Sequence, residues 1–102
     1  MRKLKLTDLA DGVRLPGMRI ADGGVATIAP GEMSHPEGRH VHPDPEGFLI
    51  LDGRGRILID GVATEFTAGD VLIVEPGEDH HLVCDGDRPV VNTWLHFERA
   101  AG

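Results

Sequence analysis

The 102-residue chain has one cysteine, Cys84, and no tyrosine. A lone thiol cannot close an internal bridge, which excludes a disulfide-stapled secreted module and makes a reducing, cytoplasmic setting the expectation. Cations are also scarce. Lys and Arg total 10 against 17 Asp and Glu, the formal net charge is -7, and no lysine follows Lys5. That balance repels a phosphate backbone and leaves no basic footprint for nucleic acid or an anionic membrane. Long apolar runs are missing as well. The longest stretches of Val, Ile, Leu and Phe, residues 48–51 and 71–74, fall far short of the ~20 residues that span a bilayer. The opening Met1 to Leu6 runs into Thr7-Asp8 rather than into a signal-like apolar segment. A soluble chain that binds a small molecule is the expectation.

What the chain has in quantity is punctuation, with 14 Gly and 7 Pro. Turn signals recur at Asp22-Gly23-Gly24, Pro30-Gly31, Pro36 to Gly38, Pro43 to Gly47, Asp52 to Gly55, Asp60-Gly61, Gly69-Asp70, Pro76-Gly77 and Asp85 to Pro89. The intervals suit strands of five or six residues and none comfortably holds an average helix. They carry β-branched and apolar residues, so the expected class is all-β, a sandwich or barrel formed by one domain over residues 1–102. Gly53-Arg54-Gly55 and Asp60-Gly61 both read as tight hairpin turns. The amino end, with Leu4, Leu6 and Leu9, fits either an edge strand or a short helix, and Ala100 to Gly102 reads as a frayed tail. A domain this long can bury about two-thirds of its unfolded surface. It needs no metal merely to fold, so a metal would serve function.

Five of the 6 histidines fall in two windows, His35, His40 and His42 in the first and His80 and His81 in the second. In a strand, residues i and i+2 project from one face, so His40 and His42 would aim two imidazoles at one point. Glu46 keeps their parity and could add a carboxylate oxygen, although Pro43 and Pro45 interrupt regular strand geometry. His80, just past Pro76-Gly77 and opening a new strand, is the natural supplier of a fourth ligand.

These residues carry a resemblance. His40-Val41-His42, Glu46 and Gly53 resemble the first motif of the cupin superfamily, and Gly69-Asp70 through Pro76-Gly77 to His80 resembles the second. The resemblance covers residues 34–84, with 15 residues between Gly53 and Gly69, a short spacer like that of compact single-domain members. It implies a jelly-roll barrel in which His40, His42, Glu46 and His80 hold one divalent transition metal ion. Ser34, Pro76 and Cys84 depart from the family pattern at a motif opening, a turn and a motif end, and none of them removes a ligand.

Three imidazoles and a carboxylate leave shell positions open to water or substrate, and this donor set suits Fe, Mn, Ni, Co, Cu or Zn alike. Phe48, Ile50, Leu82 and Cys84 share the parity of the ligands and are expected to line the pocket; on the last strand either the face of Asn92, Trp94 and His96 or that of Thr93, Leu95 and Phe97 could line the barrel, and Trp94 is expected to join the lining. His96, on that last strand, is the candidate catalytic proton carrier. His81 should face solvent, and His35, ahead of Pro36, reads as a loop residue. Leu49, Leu51, the run 57–59 and the run 71–74 offer more apolar surface than one small interior takes up, so a homodimer is expected. Two functions stay open. One is a metal-dependent enzyme of oxygenase, isomerase, lyase or cyclase type acting on a small oxygen-bearing metabolite. The other is a non-catalytic small-molecule-binding or sensor cupin.

Overall fold

The computed structural model describes residues 1–11, 15–35 and 38–100. Eight strands follow in order: β1 (Arg2–Lys5), β2 (Met18–Ile28), β3 (Glu46–Asp52), β4 (Arg54–Ile59), β5 (Val62–Thr67), β6 (Asp70–Val74), β7 (His80–Cys84) and β8 (Val90–Arg99). They form two antiparallel sheets, ordered β1-β6-β3-β8-β2 and β5-β4-β7, and the all-β jelly-roll class holds. The amino end uses both of its readings: β1 is an edge strand on β6, and a 3-10 helix over Leu6–Asp11 follows it. No described helix is long and apolar enough to cross a membrane.

The sheets enclose a core of Ile28, Phe48, Ile50, Ile57, Phe66, Leu72, Val74, Leu82, Cys84 and Val90. Period-2 alternation places these side chains: Phe48 and Ile50 on β3, Leu72 and Val74 on β6, and Val90 on β8. Leu72 is fully buried, so Leu72→Ala costs about 2–5 kcal/mol through lost transfer energy and a cavity. Val71 and Ile73, on the other side of β6, are also buried within the chain.

Two turn expectations need correction. Asp22-Gly23-Gly24 lies inside β2 rather than in a turn. Its glycines serve close approach: a Cβ on Gly24 would lie 2.9 Å from the Trp94 ring, and one on Gly23 would lie 2.7 Å from the Trp94 carbonyl oxygen. Gly53-Arg54-Gly55 is not a hairpin, because β3 and β4 belong to different sheets. Gly53 alone, at φ 87°, turns the corner between them, and a Cβ there would meet the Pro89 carbonyl oxygen at 2.7 Å. Asp60-Gly61 does join an antiparallel pair, β4 and β5, with φ of 48° and 84° as a primed turn requires.

Candidate metal centre

Residues 39–45 form no strand. Pro43 and Pro45 each lack a backbone donor, so a ladder cannot run through them, and His40 and His42 stand on a loop rather than on the strand their spacing suggests. The loop is still held in alternating register. The His80 N–H donates to the His40 carbonyl at 3.1 Å, and the Gly77 N–H donates to the His42 carbonyl at 2.9 Å. Asp79 Oδ1 accepts from the His40 N–H at 2.6 Å. Anchored at every second residue, the segment sends both imidazoles to one side, where their Nε2 atoms lie 3.2 Å apart.

β3 opens at Glu46 and β7 opens at His80, so both side chains enter from strand ends facing that loop. Glu46 Oε1 is 2.8 Å from His80 Nε2 and 3.3 Å from His42 Nε2. One donor atom from each of His40, His42, Glu46 and His80 falls within 4.8 Å of all the others. Neighbouring donors ~2.1 Å from a shared ion stand about 3 Å apart in an octahedral shell, and the contacts of 2.8, 3.2 and 3.3 Å match that spacing. Burial pushes the His40 imidazole down to about 4, helped by the nearby His35, His80 and His42. Burial also lowers His42, against the pull of Glu46. For Glu46 burial works against ionisation, but the hydrogen bond to His80 and the surrounding imidazoles outweigh it and hold the carboxyl below its ordinary value. Around neutrality the cluster therefore offers two neutral imidazoles and a carboxylate, which is what a divalent ion requires. His80 moves the other way: Glu46 and the Glu78 carbonyl outweigh its burial and raise it.

The cluster sits at one end of a cavity of about 330 Å³, on the scale of a small-metabolite site. Phe48, Leu82 and Trp94 line the cavity, whereas Ile50 and Cys84 lie in the core and are not among its lining residues. His96 reaches the cavity from β8, with Nε2 3.0 Å from Glu46 Oε2 and Nδ1 2.9 Å from Asp22 Oδ1. His81 is buried rather than solvated. It sits between the Ser34 carbonyl at 3.2 Å and Asp79 at 3.0 Å, bracing the carboxylate that pins His40. His35 is an exposed loop residue, as read, but its ring stacks on His40 with centroids 3.9 Å apart. Ser34 is more than a departure from a motif, since its hydroxyl accepts from the Leu82 N–H at 2.8 Å. Sequence reasoning passed over Asp22, Asp79 and Asn92. Asp79 adjoins His80, and Asn92 and His96 share the parity of Trp94, but pairing partners on other strands were needed to place them.

A small jelly-roll barrel with three histidines and a glutamate gathered at one end of its interior is the class that fold and site define. The cupin-domain family model matches residues 24–96, well over half of the chain, and the chain belongs to that family. Among curated proteins, the dimethylsulfoniopropionate lyase DddW of Ruegeria pomeroyi is 41% identical over 58 residues, covering 57% of this chain and 36% of the lyase. The match therefore spans only about a third of that relative's length. A cupin protein from Bacteroides fragilis superposes with a TM-score of 0.65 at 24% identity, over 99% of this chain and 79% of that one. A predicted oxalate decarboxylase from Thermotoga maritima gives 0.67 at 24% identity, over 76% and 65% of the two chains. At such identity these structures establish the shared fold alone.

Proposed function

We propose that residues 1–102 act as one cupin domain and that it is a metal-dependent enzyme of lyase type, acting on a small oxygen-bearing metabolite. The observation that carries this reading is the convergence of His40, His42, Glu46 and His80 within 4.8 Å beside a cavity whose wall includes Ile28, Phe48, Leu82 and Trp94. In this reading those four side chains hold one divalent ion, which when bound supplies a Lewis acid and a template for a substrate oxygen. The 58-residue likeness to a lyase supports elimination among the four reaction types that the resemblance to cupins implies.

The chain's own part is to shape the cavity and move a proton. Phe48, Leu82 and Trp94 exclude water from the substrate's apolar portion. His96 bridges Glu46 on the cavity side and Asp22, which is 62% exposed, on the solvent side. Its Nε2–H faces the Glu46 carboxylate, so a proton given up from Nε2 on the cavity side can be balanced by one taken up at Nδ1 from water beside Asp22. Purified protein should carry one divalent ion per chain, and His40→Ala should lose it. Metal-loaded protein should then eliminate from a β-substituted carboxylate, with dimethylsulfoniopropionate as the first compound assayed. A protein without stoichiometric metal defeats this reading.

A non-catalytic binding role has one observation in its favour: among the described residues, neither lysine nor tyrosine lines the cavity. A ligand retained unchanged by the metal-loaded protein would decide for it. A homodimer is supported by the outer face of the five-stranded sheet. There Ile20 and Val25 are 59% and 66% exposed, opposite Phe97 and Thr93 in register. Sedimentation should give twice the chain mass, and Val25→Glu should halve it. The single buried thiol is compatible with a reducing, cytoplasmic setting.

A further inference from the structure

The inward-facing positions of β2, β3 and β8 are layered by strand register. Glu46 and Asp22 pair with His96, Phe48 and Gly24 pair with Trp94, and Ile50 and Ala26 pair with Asn92. The first layer belongs to the candidate metal centre, the second is aromatic and the third is aliphatic apart from one carboxamide. Asn92 is 2% exposed and lines the cavity. No hydrogen-bond donor among the described residues reaches its Oδ1.

A buried amide oxygen with no partner loses its hydration without replacement and is retained against a real cost to stability. Backbone pairing does not need it, because the ladder on both sides of Asn92 is carried by main-chain groups that any residue supplies. A leucine has the same branched outline and leaves no polar atom unpaired. We infer that Asn92 is a specificity-determining residue that accepts a hydrogen bond from an O–H or N–H at the end of the substrate remote from the metal centre. This rests on the metal-dependent reading above and adds to it the substrate's shape: an oxygen donor group at one end, an apolar span against Phe48 and Trp94, and a donor at the other. Four residue steps along β8 lead from His96 to Asn92, a Cα distance of about 13 Å, so the span is several carbons long. Dimethylsulfoniopropionate has no O–H or N–H at its sulfonium end and would leave Asn92 unpartnered.

The test pairs binding with stability, using the parent, Asn92→Leu and, in case leucine overfills the site, Asn92→Ala. The probes are straight-chain carboxylates of four to eight carbons with and without a terminal hydroxyl, titrated by calorimetry into cobalt-loaded protein. At one chain length the hydroxyl should tighten binding to the parent about tenfold, the scale of one buried hydrogen bond to a group otherwise unpaired. In both variants that preference should vanish while metal content stays at the parent's level. Metal-free Asn92→Leu should melt a few degrees higher than the parent, roughly the effect of relieving one unsatisfied group in a domain this size. A hydroxyl preference that survives in the variants, or that exists at no chain length, overturns the inference. A lower melting temperature for Asn92→Leu also overturns it, since that marks a structural amide. If the parent binds no metal, the metal-dependent reading falls by itself, and the melting comparison on metal-free protein still judges Asn92.

Discussion

His80 is carried by β7, a strand buried along its whole length and paired residue for residue with β4. His40 and His42, by contrast, are carried by a loop fastened to the start of that strand through two carbonyls and the Asp79 carboxylate. The two halves of the candidate metal centre thus differ in what fixes them. One half is part of the sheet and shares its stability. The other is positioned by a few contacts outside any ladder, so it can be loosened while the barrel stays folded.

The sharpest way to break this comparison is to remove one imidazole from each half. His80→Ala should abolish stoichiometric metal, a loss of more than about 100-fold in affinity, and also lower stability by about 2–4 kcal/mol. It opens a cavity and leaves the buried Glu46 without its closest partner. His40→Ala should lose metal as completely, yet melt close to the parent because its ring is only partly buried. Metal analysis beside thermal melts reads both, and equal destabilisation by the two substitutions would erase the distinction. The next effect in size comes from Asp79, which touches no ion. Asp79→Ala frees the His40 amide and takes from His81 one of its two acceptors, leaving the Ser34 carbonyl. It should cost roughly 10–100-fold in metal affinity, as removal of outer-sphere support does elsewhere, with little change in melting temperature. Unchanged affinity would mean that the two carbonyl contacts suffice to hold the loop.

The same contrast explains what could be read from the sequence. The strand half was legible: His80 opens a strand behind Pro76-Gly77 as the turn chemistry indicates, and Phe48 and Leu82 reach the cavity by simple parity. The loop half was legible in outcome but not in cause. The spacing of His40 and His42 implied convergence on a strand, whereas the prolines abolish the strand and hydrogen bonds to residues 77–80 restore the alternation. His81 was misread because strand parity says which face a side chain takes, not whether something covers that face, and here Ser34 and Asp79 do. The glycines of β2 were misread for a related reason. They mark where Trp94 and Leu95 press against the strand from β8, a contact between residues far apart in sequence.

A titration sharpens the comparison at intermediate scale. His80 is the imidazole of the cluster with the raised pKa, while His40 at about 4 and the lowered His42 stay neutral near pH 7. Binding of the proposed ion would therefore displace its proton from the strand half. Metal affinity should fall about tenfold per pH unit once the pH drops below the His80 pKa, a decline that begins above the ordinary 6.5. Competition with a chelator across pH 6 to 8 measures this, and a flat profile would contradict it. For the metal-free protein the signs oppose. The raised His80 adds stability below pH 6.5 that is lost as pH rises through its folded pKa, and the lowered His40 withdraws stability as pH falls from 6.5 toward about 4.

The smallest expected effect tests whether His35 belongs to the loop half at all. Its ring lies nearly parallel to that of His40, at 14°, and it is one of the groups that depress the His40 pKa, after burial. His35→Ala should let His40 climb back toward, but not past, 6.5. At pH 7 His40 then remains mostly neutral, and metal affinity should change by less than about twofold. Between pH 6.5 and about 4 the variant's His40 would be protonated to a greater extent than the parent's at the same pH, while burial, His80 and His42 still hold it below 6.5, so the two affinities should separate in the parent's favour as the pH falls. A large loss already at pH 7 would mean that His35 holds the His40 ring in place by stacking and acts as a positioning residue rather than a distant charge.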